Sequence, residues 1–247
     1  SIIPYLLNLL LILSYPNELN QTIKLENSKN RHLIGITIHS FFSMVKRPNV
    51  LKIMNTSALH SAYLKAVKDY IQPLMVNVAL LIPILVNVET EKKNGIIIGV
   101  IYFFIYLATS RASKLSSKVA SKNNNNISVL TLLAGFVFGM ICGLAFVYNL
   151  WVISLFAFVG IYIVENIRKP ILTGFIADHV PNEILTSVIS AQSLLKTIMT
   201  AVLALLFGII ADRFGIGISF ITLSAFLTLT TILINIFGQR KKLQKKH

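Results

Sequence analysis

Cysteine and acidic residues are scarce in this chain, and both shortages exclude chemistry. Cys142 is the only cysteine among 247 residues, which rules out an intramolecular disulfide and any site built from several thiolates. Asp and Glu number nine, against 23 Lys and Arg, and they are dispersed along the chain. No GxSxG turn and no phosphate-binding glycine loop is present, so the sequence offers no nucleophilic set and no cofactor motif. The five histidines, at 32, 39, 60, 179 and 247, show no metal-ligand spacing with each other or with Cys142. Neither an enzyme nor a metal or cofactor site is expected. His60, the one histidine inside an apolar segment, reads as a packed polar residue.

What the chain has in abundance is apolar surface. Hydrophobic residues make up 55% and charged residues 13%, where soluble domains run near ~45–50% and ~25%. The mean hydropathy is +0.73, which belongs to a chain solvated by lipid. The net charge of +14 raises the question of a nucleic-acid partner. Its placement argues against one, because a membrane protein with basic cytoplasmic loops acquires a high isoelectric point without any polyanionic ligand.

Six stretches are long enough to cross a bilayer. They are 50–75, 96–109 with its flanks, 127–147, 150–164 continuing to about 177, 185–210 and 216–237. The first is the most polar, carrying Lys52, His60, Lys65, Lys68 and Asp69, and an amphipathic surface helix is the competing reading of it. A break is expected near Pro73, since 50–88 as one helix would exceed any bilayer. The run 2–14 would rise only ~20 Å as a helix and reads as the end of a truncated span. Residues 15–49 read as a cytoplasmic loop with a short amphipathic helix around Leu33, Ile38, Phe41 and Val45, closed by Arg47 and Pro48. The run 123–126 reads as a polar turn.

Sixteen Lys and Arg fall on one set of alternate connections, in 24–47, 111–122, 168–169 and 240–246, and three on the other, at Lys92, Lys93 and Arg213. Those basic connections and the tail 239–247 are therefore expected in the cytoplasm. The fold class expected is an all-α integral membrane protein, a six-helix bundle over 50–238 preceded by a partial helix. Heavy use of Lys and Asn suggests an AT-rich bacterial gene and hence a bacterial inner membrane.

Ionisable groups at membrane depth are costly unless they face a partner or a watery cavity. In 50–75, Ser57, Ser61, Lys65, Lys68 and Gln72 recur at spacings of three and four and form one polar stripe, with Asp69 beside it. The stripe is either a cavity wall meeting a polar or anionic solute or an outer end whose lysines snorkel, and Lys65 can pair with Asp69. Glu165 stands three residues from Arg168 and one turn from Tyr162. Either the two charges neutralise each other or Glu165 is a protonatable group. Lys196 lies at mid-span with Gln192, Ser193, Thr197 and Thr200 around it. It calls for a cavity, an anionic ligand or an acidic partner such as Glu165. The spans 127–147 and 216–237 lack charge, and Gly135, Gly139 and Gly143 line one face of the former, which predicts close helix packing.

Residues 168–215, RKPILTGFIADHVPNEILTSVISAQSLLKTIMTAVLALLFGIIADRFG, resemble the tenth-to-eleventh helix region of the major facilitator superfamily. The matching features are Pro170, Asp178, Val180-Pro181, Ser187 with Ser190, and the Gly208, Ala211, Asp212 and Gly215 set. Residues 110–122 look like a degenerate basic loop between its eighth and ninth helices, and Leu185 stands where many members carry Arg. The resemblance implies the end of helix six, the central loop and helices seven to twelve. It further implies a secondary active transporter of a small polar or anionic solute, working with a missing N-terminal six-helix half. Candidate substrate or coupling residues are Ser61, Lys65, Asp69, Tyr162, Glu165, Gln192 and Lys196. Protons are the candidate coupling ion, through Glu165 or Asp69. A polytopic scaffold or sensor is the alternative.

Overall fold

Every element among the described residues of the computed structural model, which are 48–81, 90–120 and 127–244 with positions 8, 11 and 43, is helical. The expectations for the truncated span 2–14, the amphipathic loop helix and the turn 123–126 lie outside the described residues. Helix α1, Pro48–Val67, begins with a proline at the first helical position, where its missing N–H costs nothing. Pro73 cannot donate to the carbonyl of Asp69, four residues back, and its ring crowds that carbonyl. The chain answers by tightening into a 3-10 turn over Lys68–Tyr70, with the Ile71 N–H reaching the Lys68 carbonyl. It then resumes as α2, Ile71–Leu81. The expected break thus falls one turn before Pro73.

Helix α3 runs Thr90–Ala120. The basic segment from 110, expected as a loop, is helical to Ala120, because it contains neither Gly nor Pro and Ala112 and Ser116 are buried. Helix α4, Ile127–Val147, is joined to α5, Trp151–His179, by three residues. Asn149 adopts φ 56° there, a left-handed conformation that asparagine tolerates, and the Leu150 N–H closes the turn on the Ala145 carbonyl at 2.8 Å. Helix α5 continues through Pro170 without interruption. Arg168, placed with a connecting loop by the sequence pattern, is therefore inside α5 and only 1% exposed. Helix α6, Asn182–Phe214, meets α7, Ile216–Gln244, at Gly215, whose φ of 89° favours glycine. The basic tail expected from 239 continues α7 as helix to Gln244.

Among the described residues, five helical segments are long and apolar enough to cross a membrane: Lys92–Ser116, Ile127–Val147, Trp151–His179, Ile184–Phe214 and Ile216–Ile236. The chain is an all-α membrane protein on this ground. The expected span 50–75 is not among them, because it is divided at the 3-10 turn and diluted by Lys52, Lys65, Lys68 and Asp69.

Helix α4 packs between α5 and α7, α1 lies against α6 and α5, and α3 against α5. The α4 glycines explain the first of these arrangements in part. A Cβ at Gly143 would meet the Gly217 carbonyl of α7 at 2.6 Å, so that glycine sets a close helix crossing. Gly135 and Gly139 do something else. They open space for the His60 imidazole and the Tyr63 hydroxyl of α1. Packing was the role expected of all three, and at two positions what is packed is a polar side chain.

Candidate functional site

Helix α5 buries Ile161, Val164, Arg168 and Leu172 at spacings of three and four, a stripe that turns toward α1 and α4. Glu165 sits at its edge with its side chain 13% exposed. One carboxylate oxygen lies 2.7 Å from His60 Nδ1 of α1, and the other accepts a hydrogen bond from the Ser61 hydroxyl. His60 is fully buried and stacks on Phe136 of α4, ring centroids 6.2 Å apart. Its second nitrogen, Nε2, has no hydrogen-bond partner among the described residues and faces Gly135, where a methyl group would collide with it. Chemically this is a carboxylate hydrogen-bonded to an imidazole. An ionised Glu165 requires hydrogen on Nδ1, and a protonated one can donate to it.

Arg168 lies one turn along α5 and makes a second polar centre. Its Nη1 donates to the Ser128 carbonyl and the Thr131 hydroxyl of α4, each at 2.5 Å, and its Nη2 to the Thr56 carbonyl of α1 at 3.1 Å. Thr56 and Ser128 are themselves joined through their hydroxyls at 2.8 Å. Glu165 and Arg168 attract each other across one helical turn but make no direct ion pair. The guanidinium extends to the end of the bundle where α1 and α4 begin, while the carboxylate turns to α1. Arg168 is thus surrounded by backbone and hydroxyl oxygens, the acceptors its planar fork of donors suits. Its Nε has no hydrogen-bond partner among the described residues.

On α6, Gln192 donates to the Ser57 hydroxyl of α1 at 2.8 Å. Lys196, one turn on and half-buried, makes no ion pair among the described residues, so its expected pairing with Glu165 is absent: His60 and Ser61 occupy that carboxylate. Lys65 is exposed, and Asp69 has Lys68 rather than Lys65 as its near cation, at 3.9 Å with both side chains largely in the open. Asp69 lines an open depression of about 420 Å³ with Ala66, Tyr70, Gln72, Pro73 and Ala204. Tyr162 packs at a tilt against Phe158, centroids 5.7 Å apart, and no hydrogen bond joins it to Glu165. Of the seven residues singled out from sequence, Ser61 and Glu165 meet directly, Gln192 joins the same helix through Ser57, and Lys65, Asp69, Tyr162 and Lys196 stand apart from the cluster.

Sequence reasoning passed over Thr56, Ser128 and Thr131 and read His60 as a packed polar residue, which it is, without its carboxylate partner. A signal existed for two of these residues: Thr56 and His60 flank Ser57 and Ser61 at helical spacing, widening the polar stripe of α1. Among the described residues no three His, Cys, Asp or Glu side chains gather as a metal site would require. No family model, no curated protein and no solved structure matches the chain.

Proposed function

We propose that the chain forms one six-helix half of a secondary active transporter of the major facilitator type. In this reading α1 with α2 supplies the sixth crossing, and the basic connections and C-terminus face the cytoplasm of a bacterial cell. A second six-helix half faces this one, and a small polar or anionic solute moves between them by alternating access. Its movement is coupled to a proton carried by Glu165.

The observation that supports this reading is the Glu165 site itself. A carboxylate in the middle of an apolar helix is expensive to keep, and here it is bonded to His60 and Ser61 of a neighbouring helix rather than to a permanent cation. A carboxylate locked by Arg168 would be a structural ion pair. One that shares a proton with an imidazole can load and release it. Asp69, the other candidate, is 81% exposed on its side chain and lacks this enclosure.

The test is the full-length protein reconstituted in vesicles. With Glu165→Gln, accumulation driven by a proton gradient is expected to vanish while solute exchange at equal concentrations persists. Unchanged accumulation and pH dependence in that variant would sink the coupling role. The absence of any saturable, gradient-dependent flux in the unaltered protein would point to a scaffold instead.

A further inference from the structure

Helices α1 and α6 run side by side in the same direction. Val50 and Met54 pack with Ile184 and Val188 near one end, Ser57 meets Gln192 further along, and Tyr70 meets Phe207 beyond that, ring centroids 4.4 Å apart. The register these contacts set continues between them. One turn past the Ser57–Gln192 bond lie Ser61 on α1 and Lys196 on α6, and a turn further lie Lys65 and Thr200. Two ammonium groups therefore border one helix seam at neighbouring levels.

Neither ammonium group has a carboxylate within ion-pair distance among the described residues. Glu165, the carboxylate at that level, is taken by His60 and by Ser61. Asp69 is turned outward beside Lys68, and Asp178 and Asp212 are exposed near the ends of their helices. Arg168 is hydrogen-bonded to neutral oxygens but attracts Glu165 one turn away, so the cations left without a nearby carboxylate among the described residues are Lys196 and Lys65. Lys196 stands ~20 Å along α6 from Asn182 and ~27 Å from Phe214, far from either end of the helix. A half-buried lysine at that depth needs an anion.

We infer that the α1–α6 seam is the solute site and that the solute is a small organic anion whose carboxylate is held by Lys196, with Lys65 the next cation along its route. This rests on the transport reading and narrows its substrate class. Ser61 stands at the same level as Lys196 and donates to Glu165. The anion and the Glu165–His60 pair would therefore be neighbours across a single hydroxyl.

The test is binding by the purified full-length protein in phosphatidylcholine nanodiscs, read by calorimetry and thermal shift. The probes are the sodium salts of acetate, lactate, benzoate and succinate, with inorganic phosphate, choline chloride and glycerol as contrasts. At least one carboxylate is expected to bind and raise the unfolding temperature, while choline and glycerol do neither. Lys196→Gln should weaken that binding about tenfold or more, the scale of one charge-assisted hydrogen bond. Lys196→Arg should retain most of it, and Lys65→Gln should cost less than Lys196→Gln. The unfolding temperature without ligand shows that each variant is folded.

Binding by none of the carboxylates overturns the inference. So does binding that Lys196→Gln leaves unchanged, or a preference for phosphate, choline or glycerol. An effect given by added phosphatidylglycerol but by no soluble anion would assign Lys196 to lipid and overturn it as well. Because binding is read without flux, its loss leaves the transport reading standing. Carboxylate binding without any flux would reject transport and keep the site.

Discussion

Helices α5 and α6 are built alike and placed differently. They span 29 and 33 residues, and each carries ionisable side chains deep within an apolar run. In α5, 39% of the most apolar stretch is buried against other helices, in α6 only 11%. The charges follow the burial. Glu165 and Arg168 of α5 are bonded to five residues on α1 and α4, whereas Lys196 of α6 has no ion-pair partner among the described residues. Neighbours that enclose a charged side chain of a membrane helix also bond it, and neighbours that leave it open do not. Composition alone does not separate the two cases.

The largest effect by which this comparison can be broken is Arg168→Ala. It removes three charge-assisted bonds and leaves a void among α1, α4 and α5, so the protein should lose about 3–5 kcal/mol of stability. A loss under about 1 kcal/mol by detergent-unfolding titration would show that α5 does not depend on its buried charge. Gly135→Ala comes next, at about 2 kcal/mol, because the added methyl meets the His60 ring. The cost should shrink when His60→Ala is present in the same chain, and a double-mutant cycle reads the coupling directly. Additive costs would mean that His60 does not rest on Gly135.

Smaller effects belong to α6. Gln192→Leu breaks one hydrogen bond to Ser57 and should cost about 0.6–1 kcal/mol, the range of interhelical bonds in membranes. Lys196→Met should cost nothing beyond about 0.5 kcal/mol and could raise the unfolding temperature, since no bond is lost and a desolvated cation disappears. A marked destabilisation there would reveal a counter-charge and erase the difference between the two helices.

The apolar runs were legible because bilayer thickness imposes a length on them, and five of the expected spans return as helices within a few residues at each core. Their ends were less legible. Hydropathy reports depth in lipid, and it says nothing of Arg111 to Ala120, which stay helical after the apolar stretch has ended. The same holds for the basic end of α7. Glu165 and Ser61 could be chosen from sequence because charge and helical spacing marked them. His60 was visible only as a polar side chain flanking the polar stripe of α1, because its carboxylate partner stands on a helix more than a hundred residues away. Arg168 was visible, yet its partners are largely backbone carbonyls, which every residue has and no motif advertises.

The three-residue turn between α4 and α5 has a consequence for how the protein is made. We expect helices joined by so tight a turn, closed by the Leu150 N–H on the Ala145 carbonyl, to enter the bilayer as one hairpin. α1 is synthesised earlier, is not among the helices apolar enough to cross alone, and finds acceptors and donors for its polar groups on that hairpin. We expect α1 to remain at the interface of the nascent chain until α5 has emerged. Chains halted after Ala120 and after His179, with a glycosylation acceptor placed beyond α2, distinguish the outcomes: full transfer of the acceptor in the shorter chain would show that α1 inserts unaided.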